Sequence, residues 1–176
     1  MHFSSYNSPI GYMLLMASDR GLRSAWFDYD RKHLEQARKN PELIESDSEL
    51  AEVCAELDEY FAARRKKFTV RLDLKGTDFQ LRCWKALLEI PYGKTCSYAD
   101  LARTVGSPRG FRAVGMANHD NPIPIIVPCH RVITSDHKLG GYGGGLDVKE
   151  KLLRLEGAVW REPHPELAFQ YKNFQD

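Results

Sequence analysis

The sequence predicts an α+β chain built in two small parts. Three observations carry this. Turn signals and short strand-like runs fill residues 1–28, residues 77–157 have helical spacing, and Gly76 marks the change. The expected division is residues 1–75 as an α+β domain with an antiparallel sheet, residues 76–160 as a helical domain, and residues 161–176 as a peripheral tail. With 43% hydrophobic and 28% charged residues the chain buries a core. Its 13 glycines and 9 prolines in 176 residues exclude collagen-like and low-complexity architecture. The longest apolar runs, MLLMA and PIIVP, are too short to span a bilayer, so no membrane partner is expected. The start, MHFSSYNSPIG, lacks a basic stretch followed by an apolar one and does not read as a secretory signal.

In the first part, Ser8-Pro9-Ile10-Gly11 is a turn, Gly11 to Ala17 an apolar strand, Ser18-Asp19-Arg20-Gly21 a second turn and Leu22 to Phe27 another strand. Residues 30–45 are polar and read as loop or weak helix. Ser46 and Glu49 match a capping box. Leu50, Val53, Cys54, Leu57, Tyr60 and Phe61 then recur at helical spacing, and the basic run Arg64-Arg65-Lys66-Lys67 suits the helix C-terminus. Phe68, Val70, Leu72 and Leu74 alternate with polar residues, as in a strand with one buried face.

In the second part, Thr77 or Asp78 caps a helix with Phe79, Cys83, Trp84, Leu87 and Leu88 on one side, stopped at Pro91-Tyr92-Gly93-Lys94. Ser97 caps a short helix carrying Tyr98, Leu101, Ala102 and Val105. A Gly106–Gly110 turn leads into a third helix near 110–118, stopped by Asp120-Asn121-Pro122. Two short helices joined by a glycine-containing turn resemble a helix-turn-helix, although many helical hairpins share that pattern and bind no DNA. Three prolines keep residues 122–134 out of a regular central strand. Residues 140–145 hold five glycines around Tyr142, either a plain loop or a pocket wall that a ligand can approach closely. Asp147 caps a last helix with Val148, Leu152, Leu153 and Leu155, ending at Glu156-Gly157.

The net charge is only +1, but no acid lies between Asp100 and Asp120, where Arg103, Arg109 and Arg112 sit. This is a solvated basic surface or a phosphate-binding face. Cysteines 54, 83, 96 and 129 form no CxxC pair, which disfavours a zinc knuckle, a thioredoxin-type site and a disulfide framework. A reduced, cytosolic compartment is expected. Cys54 and Cys83 fall on apolar helix stripes and read as core.

Pro128-Cys129-His130-Arg131 is the most informative stretch. A thiol reacts as thiolate and needs a base, and the base needs a third group to orient it. Neighbouring residues point apart, so His130 reaches Cys129 only through a water or a turned backbone. Glu156 is the acid best placed to return to His130. A buried cysteine beside a structural histidine is the alternative.

The string NPIPIIVPCHRVI, with SYADLA and RAVG before it and YGGGLDVKEKLLRLEG after it, resembles the O6-alkylguanine-DNA alkyltransferases, or methylated-DNA–protein-cysteine methyltransferases. The resemblance spans about residues 76–157 with motifs in order, and residues 1–75 fit more loosely through the SPIG turn. It implies a ribonuclease-H-like first domain and a winged-helix-like second one. It implies irreversible, single-turnover transfer of an alkyl group from a flipped-out O6-alkylguanine to the protein, with O4-alkylthymine as a secondary substrate. Cys129 is then the nucleophile, His130 the base acting through water and Glu156 its orienting partner. Tyr98 assists flipping and donates to the base, and Arg112 fills the vacated stack. Asn121 is the hinge to the active-site strand, and Ala113 and Gly115 allow close approach to the minor groove. Val132, Tyr142, Gly143 and Asn118 line the pocket.

The partner implied is double-stranded DNA carrying the lesion, bound by a monomer able to cluster along it. No cofactor and no metal are implied. Some relatives carry zinc in the first domain, but one Cys and two His there (His2, His33) are too few for a four-ligand site. Two rivals stand beside this reading. A lesion-binding module without transfer is opposed by Cys129, and a Cys-His-Glu hydrolase by the helix-turn-helix pattern and Arg112.

Overall fold

The computed structural model describes residues 1–160, so the expected tail at 161–176 lies outside the described residues. The α+β class is borne out, with a sheet in the first half and helices in the second. Strands β1 (His2–Ser8), β2 (Gly11–Ser18) and β3 (Gly21–Phe27) form an antiparallel meander, joined at the two predicted turns. The sheet is mixed rather than purely antiparallel. Strand β4 (Ile44–Glu45) adds parallel to β1, giving the order β3-β2-β1-β4. Its two residues are too few and too exposed to leave an alternation signal.

Helix α1 (Lys32–Lys39) occupies the region expected as loop or weak helix. Its cap comes from upstream: the Asp28 carboxylate accepts from the His33 and Leu34 amides at 3.1 and 2.9 Å. Helix α2 (Asp47–Phe61) packs on β1 and β2 through Leu50, Val53, Leu57 and Tyr60. The expected Ser46 capping box is absent. Ser46 Oγ lies 3.1 Å from Ser48 Oγ, and no side chain caps the helix. The basic run falls beyond the helix end and acts through Arg65, which pairs with Glu56 and Glu59 at 3.1 and 2.8 Å. Residues 68–74 do not form a sheet strand, and the expected alternation of burial breaks at Asp73, which is buried while Leu72 and Leu74 are half-buried. A single bridge joins Leu72 to Leu22, because Asp73 and Arg71 bond the two sides of one residue at the sheet margin.

Helix α3 (Asp78–Leu88) begins at a reciprocal box between Thr77 and Gln80, and α4 (Tyr98–Thr104) at one between Ser97 and Asp100. Helix α5 (Phe111–His119) follows the Gly106–Gly110 turn. A 3-10 turn, Cys129–Arg131, opens into β6 (Val132–Ile133), which pairs parallel with β5 (Cys96–Ser97). That short pair holds the start of α4, and so Tyr98, beside the Cys129 turn. Helix α6 (Leu146–Leu155) is capped at Gly145 and not by the expected Asp147, which lies in its first turn.

One continuous apolar core joins the two halves. Leu15, Leu57 and Tyr60 from the first share it with Trp84, Val127 and Leu152 from the second. Main-chain bonding also crosses between them, with the Ala25 amide donating to the Pro122 carbonyl at 2.9 Å. Inside the second half, Trp84 Nε1 donates to the Ala117 carbonyl at 2.8 Å and pins α3 to α5. No described helix is long and apolar enough to cross a membrane.

Candidate active site

Cys129 stands at the start of the 3-10 turn and is 6% exposed. Prolines 122, 124 and 128 deny this segment a regular ladder, so its polar groups need other partners. Asn121 supplies them. Its Nδ2 donates to the Val127 carbonyl at 2.7 Å and to Cys129 Sγ at 3.1 Å, while Oδ1 accepts from the Ile123 amide at 3.0 Å. The hinge expected of Asn121 therefore ties α5 to the reactive turn rather than to a strand, which starts only at Val132. Burial raises the Cys129 pKa, and the Asn121 hydrogen bond, the Lys149 charge and the nearby Tyr142 hydroxyl offset this only in part. The resting group is a thiol, and its proton needs an acceptor.

His130 is fully buried, with Nε2 2.8 Å from Glu156 Oε1. Burial, helped by the Arg131 and Lys149 charges, pulls the imidazole below its ordinary value despite the carboxylate beside it. It is thus neutral near pH 7. An ionised Glu156 only accepts, so the Nε2 proton is the one committed to it. Nδ1 is then an open lone pair, and it is buried with no partner among the described residues.

Burial alone would raise the Glu156 pKa, but hydrogen bonds and charge from His130 and Arg131 outweigh it and hold the carboxyl well below the usual range. Arg131 grips both oxygens, with Nε 2.9 Å from Oε2 and Nη2 3.0 Å from Oε1. Tyr60 Oη, from α2, donates to Oε1 at 2.7 Å. The Gly93 amide donates to Oε2 at 3.2 Å. Gly93 has φ +74°, and a Cβ there would lie 2.7 Å from the Glu156 carbonyl oxygen, so only glycine fits this approach.

Tyr98, the first residue of α4, faces the glycine loop, and its hydroxyl donates to the Gly141 carbonyl at 3.3 Å. Lys149 is wholly buried beneath the same loop. Its ammonium donates to the carbonyls of Val132 at 2.6 Å, Gly141 at 3.2 Å and Leu139. Burial lowers it to about 8, which still leaves it protonated at neutral pH. The Tyr142 hydroxyl is buried, lacks a hydrogen bond of good geometry and lies close enough to Cys129 to favour its thiolate. Gly143 faces His119 at the end of α5. Asn118, on the buried side of α5, has both amide atoms unpartnered among the described residues. The loop also leans on the first half: Tyr29 Oη donates to the Gly144 carbonyl at 2.9 Å, and a Cβ on Gly144 would lie 2.7 Å from the Phe27 ring.

On α5, Arg112 and Ala113 are exposed and Gly115 is half-buried with open space at its Cβ position, while Val114, Ala117 and Asn118 face inward. The outward face sets the small Ala113 and Gly115 beside the exposed Phe111 and Met116, with the Arg112 guanidinium 5.9 Å over the Phe111 ring, a surface that offers a cation and local room to a backbone rich in phosphate.

The structure thus brings Cys129, His130, Glu156, Asn121, Tyr98, Tyr142 and Val132 into one neighbourhood, with Arg112, Ala113 and Gly115 on the adjoining surface. Sequence reasoning gave no role to Arg131, Gly93, Lys149, Tyr60, Phe27 or Tyr29. Two of these carry a signal in the sequence. Arg131 is a charge inside an apolar stretch, and Lys149 sits on the apolar stripe of Val148, Leu152 and Leu153. Among the described residues, no group of three or more His, Cys, Asp or Glu side chains is placed to hold a metal ion.

Comparison with known proteins agrees in both halves. The family model described as "6-O-methylguanine DNA methyltransferase, ribonuclease-like domain" matches residues 1–74. The one described as "6-O-methylguanine DNA methyltransferase, DNA binding domain" matches residues 78–158. A methylated-DNA–protein-cysteine methyltransferase of Methanosarcina barkeri is 46% identical over 156 residues, covering 89% of this chain and 97% of the relative. One of Mycobacterium tuberculosis is 59% identical over 101 residues, covering 57% of this chain and 61% of the relative. The crystal structure of Mycobacterium tuberculosis OGT in complex with DNA superposes with a TM-score of 0.79 at 43% identity, over 89% of this chain and 93% of that one.

Proposed function

The chain belongs to the 6-O-methylguanine DNA methyltransferase family, and from that premise we propose that it repairs DNA by moving an alkyl group from O6-alkylguanine to Cys129. The observation that carries this reading is the pairing of a protonated, buried thiol with a neutral His130 whose Nε2 is committed to Glu156 and whose Nδ1 is open. Such a pair is built to lose a proton once, when an electrophile arrives.

The step balances as an in-line displacement. The thiol proton passes through a water to His130 Nδ1, and Glu156 stabilises the imidazolium formed. The sulfur lone pair attacks the alkyl carbon. The carbon–sulfur bond forms as the carbon–O6 bond breaks, and that pair stays on the guanine, where a Tyr98 hydroxyl and loop amides meet the developing charge. A soft thiol suits attack on alkyl carbon. The thioether formed is stable, so each molecule acts once and needs no cofactor.

The target atom is inside the duplex, and extrusion costs a few kcal/mol. Arg112 at the exposed start of α5 is suited to fill the gap, with Ala113 and Gly115 letting the helix approach the minor groove. Tyr98 would leave the Gly141 carbonyl to meet the flipped nucleotide, whose base would enter beside Asn118, Tyr142, Gly143 and the Val132 main chain. O4-alkylthymine presents a similar edge and is a secondary substrate. The protein acts as a monomer. The working parts meet near Gly76, a division supported by family models that end at residue 74 and begin at residue 78.

The test is intact-protein and peptide mass after mixing with a duplex carrying one O6-methylguanine. One methyl group on the Cys129 peptide, absent in Cys129→Ser, is the expected result. A protein that binds that duplex yet keeps its mass would leave lesion recognition without transfer. One that neither binds nor changes would sink the DNA-repair reading.

A further inference from the structure

We infer that Tyr60, in the first half of the chain, is a positioning residue for the transfer step, acting through Glu156 on His130. This rests on the alkyl-transfer reading and adds to it a residue from outside the half that carries the thiol. A carboxylate offers about four lone-pair sites. Glu156 receives five donors: His130, Arg131 and Tyr60 on Oε1, and Arg131 and Gly93 on Oε2. Oε1 alone is shared three ways, so its donors compete. Arg131 is a fixed charge and Gly93 a main-chain amide. Tyr60 is the one neutral side chain, besides the imidazole itself, whose removal changes how much of the carboxylate is left for His130.

The Tyr60 phenol is fully buried, and burial together with the neighbouring carboxylate keeps it protonated, so it can only donate here. Its ring is held independently of its hydroxyl. Phe68 lies 5.4 Å away between centroids, Phe61 5.4 Å and Tyr92 6.1 Å. The hydroxyl is therefore separable from the packing. The charged groups acting on the imidazole are Glu156 and Lys149, from α6 and its C-terminal cap, and Arg131 from the turn, with the Cys129 thiol next to it in the chain and the Tyr92 hydroxyl acting on Glu156. Tyr60 faces the imidazole across Glu156 from α2, and Tyr60→Phe alters none of the others.

The sign follows from the competition. Without the Tyr60 hydroxyl, Oε1 carries more charge toward His130 and favours its protonated form. The base must be neutral to take the thiol proton. The acid limb of the transfer rate therefore moves to higher pH, by roughly half a unit, which is about a threefold loss of rate below the limb and little change above it.

The experiment uses the full chain. Single-turnover methyl transfer from an O6-methylguanine duplex is followed across about pH 5 to 9. In parallel, the His130 ring signals are titrated by NMR without DNA. In Tyr60→Phe both the rate limb and the ring midpoint are expected to rise together, with duplex affinity unchanged. A variant that is slower by one factor at every pH, with an unmoved ring midpoint, would overturn the proposal and leave Tyr60 a packing residue. If Tyr60→Phe does not fold, 3-fluorotyrosine at position 60, a stronger donor of nearly the same size, must shift the ring midpoint downward, and no shift overturns the idea. Should the wild-type protein transfer no methyl group, the alkyl-transfer reading fails by itself, while the NMR titration still decides whether Tyr60 acts on His130.

Discussion

Asn121 does two jobs with one amide. It holds the proline-broken segment in shape through Val127, and it offers an N–H to the sulfur that becomes anionic. A hydrogen bond to a charged group contributes about 1.5–3 kcal/mol. Asn121→Ala is therefore expected to slow methyl transfer near neutral pH roughly tenfold to a hundredfold. It should also raise the pH midpoint for alkylation of Cys129 by iodoacetamide. A variant slowed without that shift would assign Asn121 to shape alone. Cys129, His130, Asn121 and Glu156 were legible because their motif is local or ends a recognisable helix. Tyr60 was legible only as an apolar stripe position, because the partner that gives its hydroxyl meaning lies 96 residues away.

At the scale of elements, the caps expected at Thr77 and Ser97 form, and the structure adds their reciprocal partners, Gln80 and Asp100. The same pattern failed at Ser46, where the serine hydroxyl turned to Ser48 instead. Alternating residue types at 68–74 resemble a strand, but only Leu72 bridges the sheet, and Asp73 is drawn inward by Ser18, Arg20 and Arg23. The glycine loop was read as a pocket wall, but its support was invisible. Phe27 and Tyr29 stack 5.6 Å apart at 5° and hold it from the sheet side. Gly144→Ala would drive a methyl group into the Phe27 ring. It is expected to lower the methyl-transfer rate by on the order of tenfold, as a misplaced wall of about 1 Å can do. Phe27→Leu added to it should restore part of the loss, measured by the same single-turnover assay. No restoration would mean that the loop is held elsewhere.

For the molecule as a whole, the two halves share one core, so heat should unfold them in one transition with equal calorimetric and van't Hoff enthalpies. The pH dependence of that transition follows from the buried network. His130 is held below its ordinary value, so below about pH 6.5 the unfolded chain takes up a proton that the native site refuses, and stability falls. Glu156 is also held low. Its contribution is complete above about pH 4.3 and is lost as the pH falls toward its native value. Melting temperature measured against pH should thus decline in two stages on the acid side. Two separate melts, or a flat acid profile, would contradict this account.

The network around Glu156 also has a consequence for how the protein is made. Its members are drawn from positions 60, 93, 130, 131 and 156, and the loop brace joins residues 115 apart. Contacts so distant along the chain close late in folding. A growing polypeptide on the ribosome therefore exposes Cys129 before it has the carboxylate that orients its base. The base-assisted route to the thiolate is therefore missing until residue 156 is synthesised and docked, and until then Cys129 keeps the ordinary thiol pKa that burial later raises.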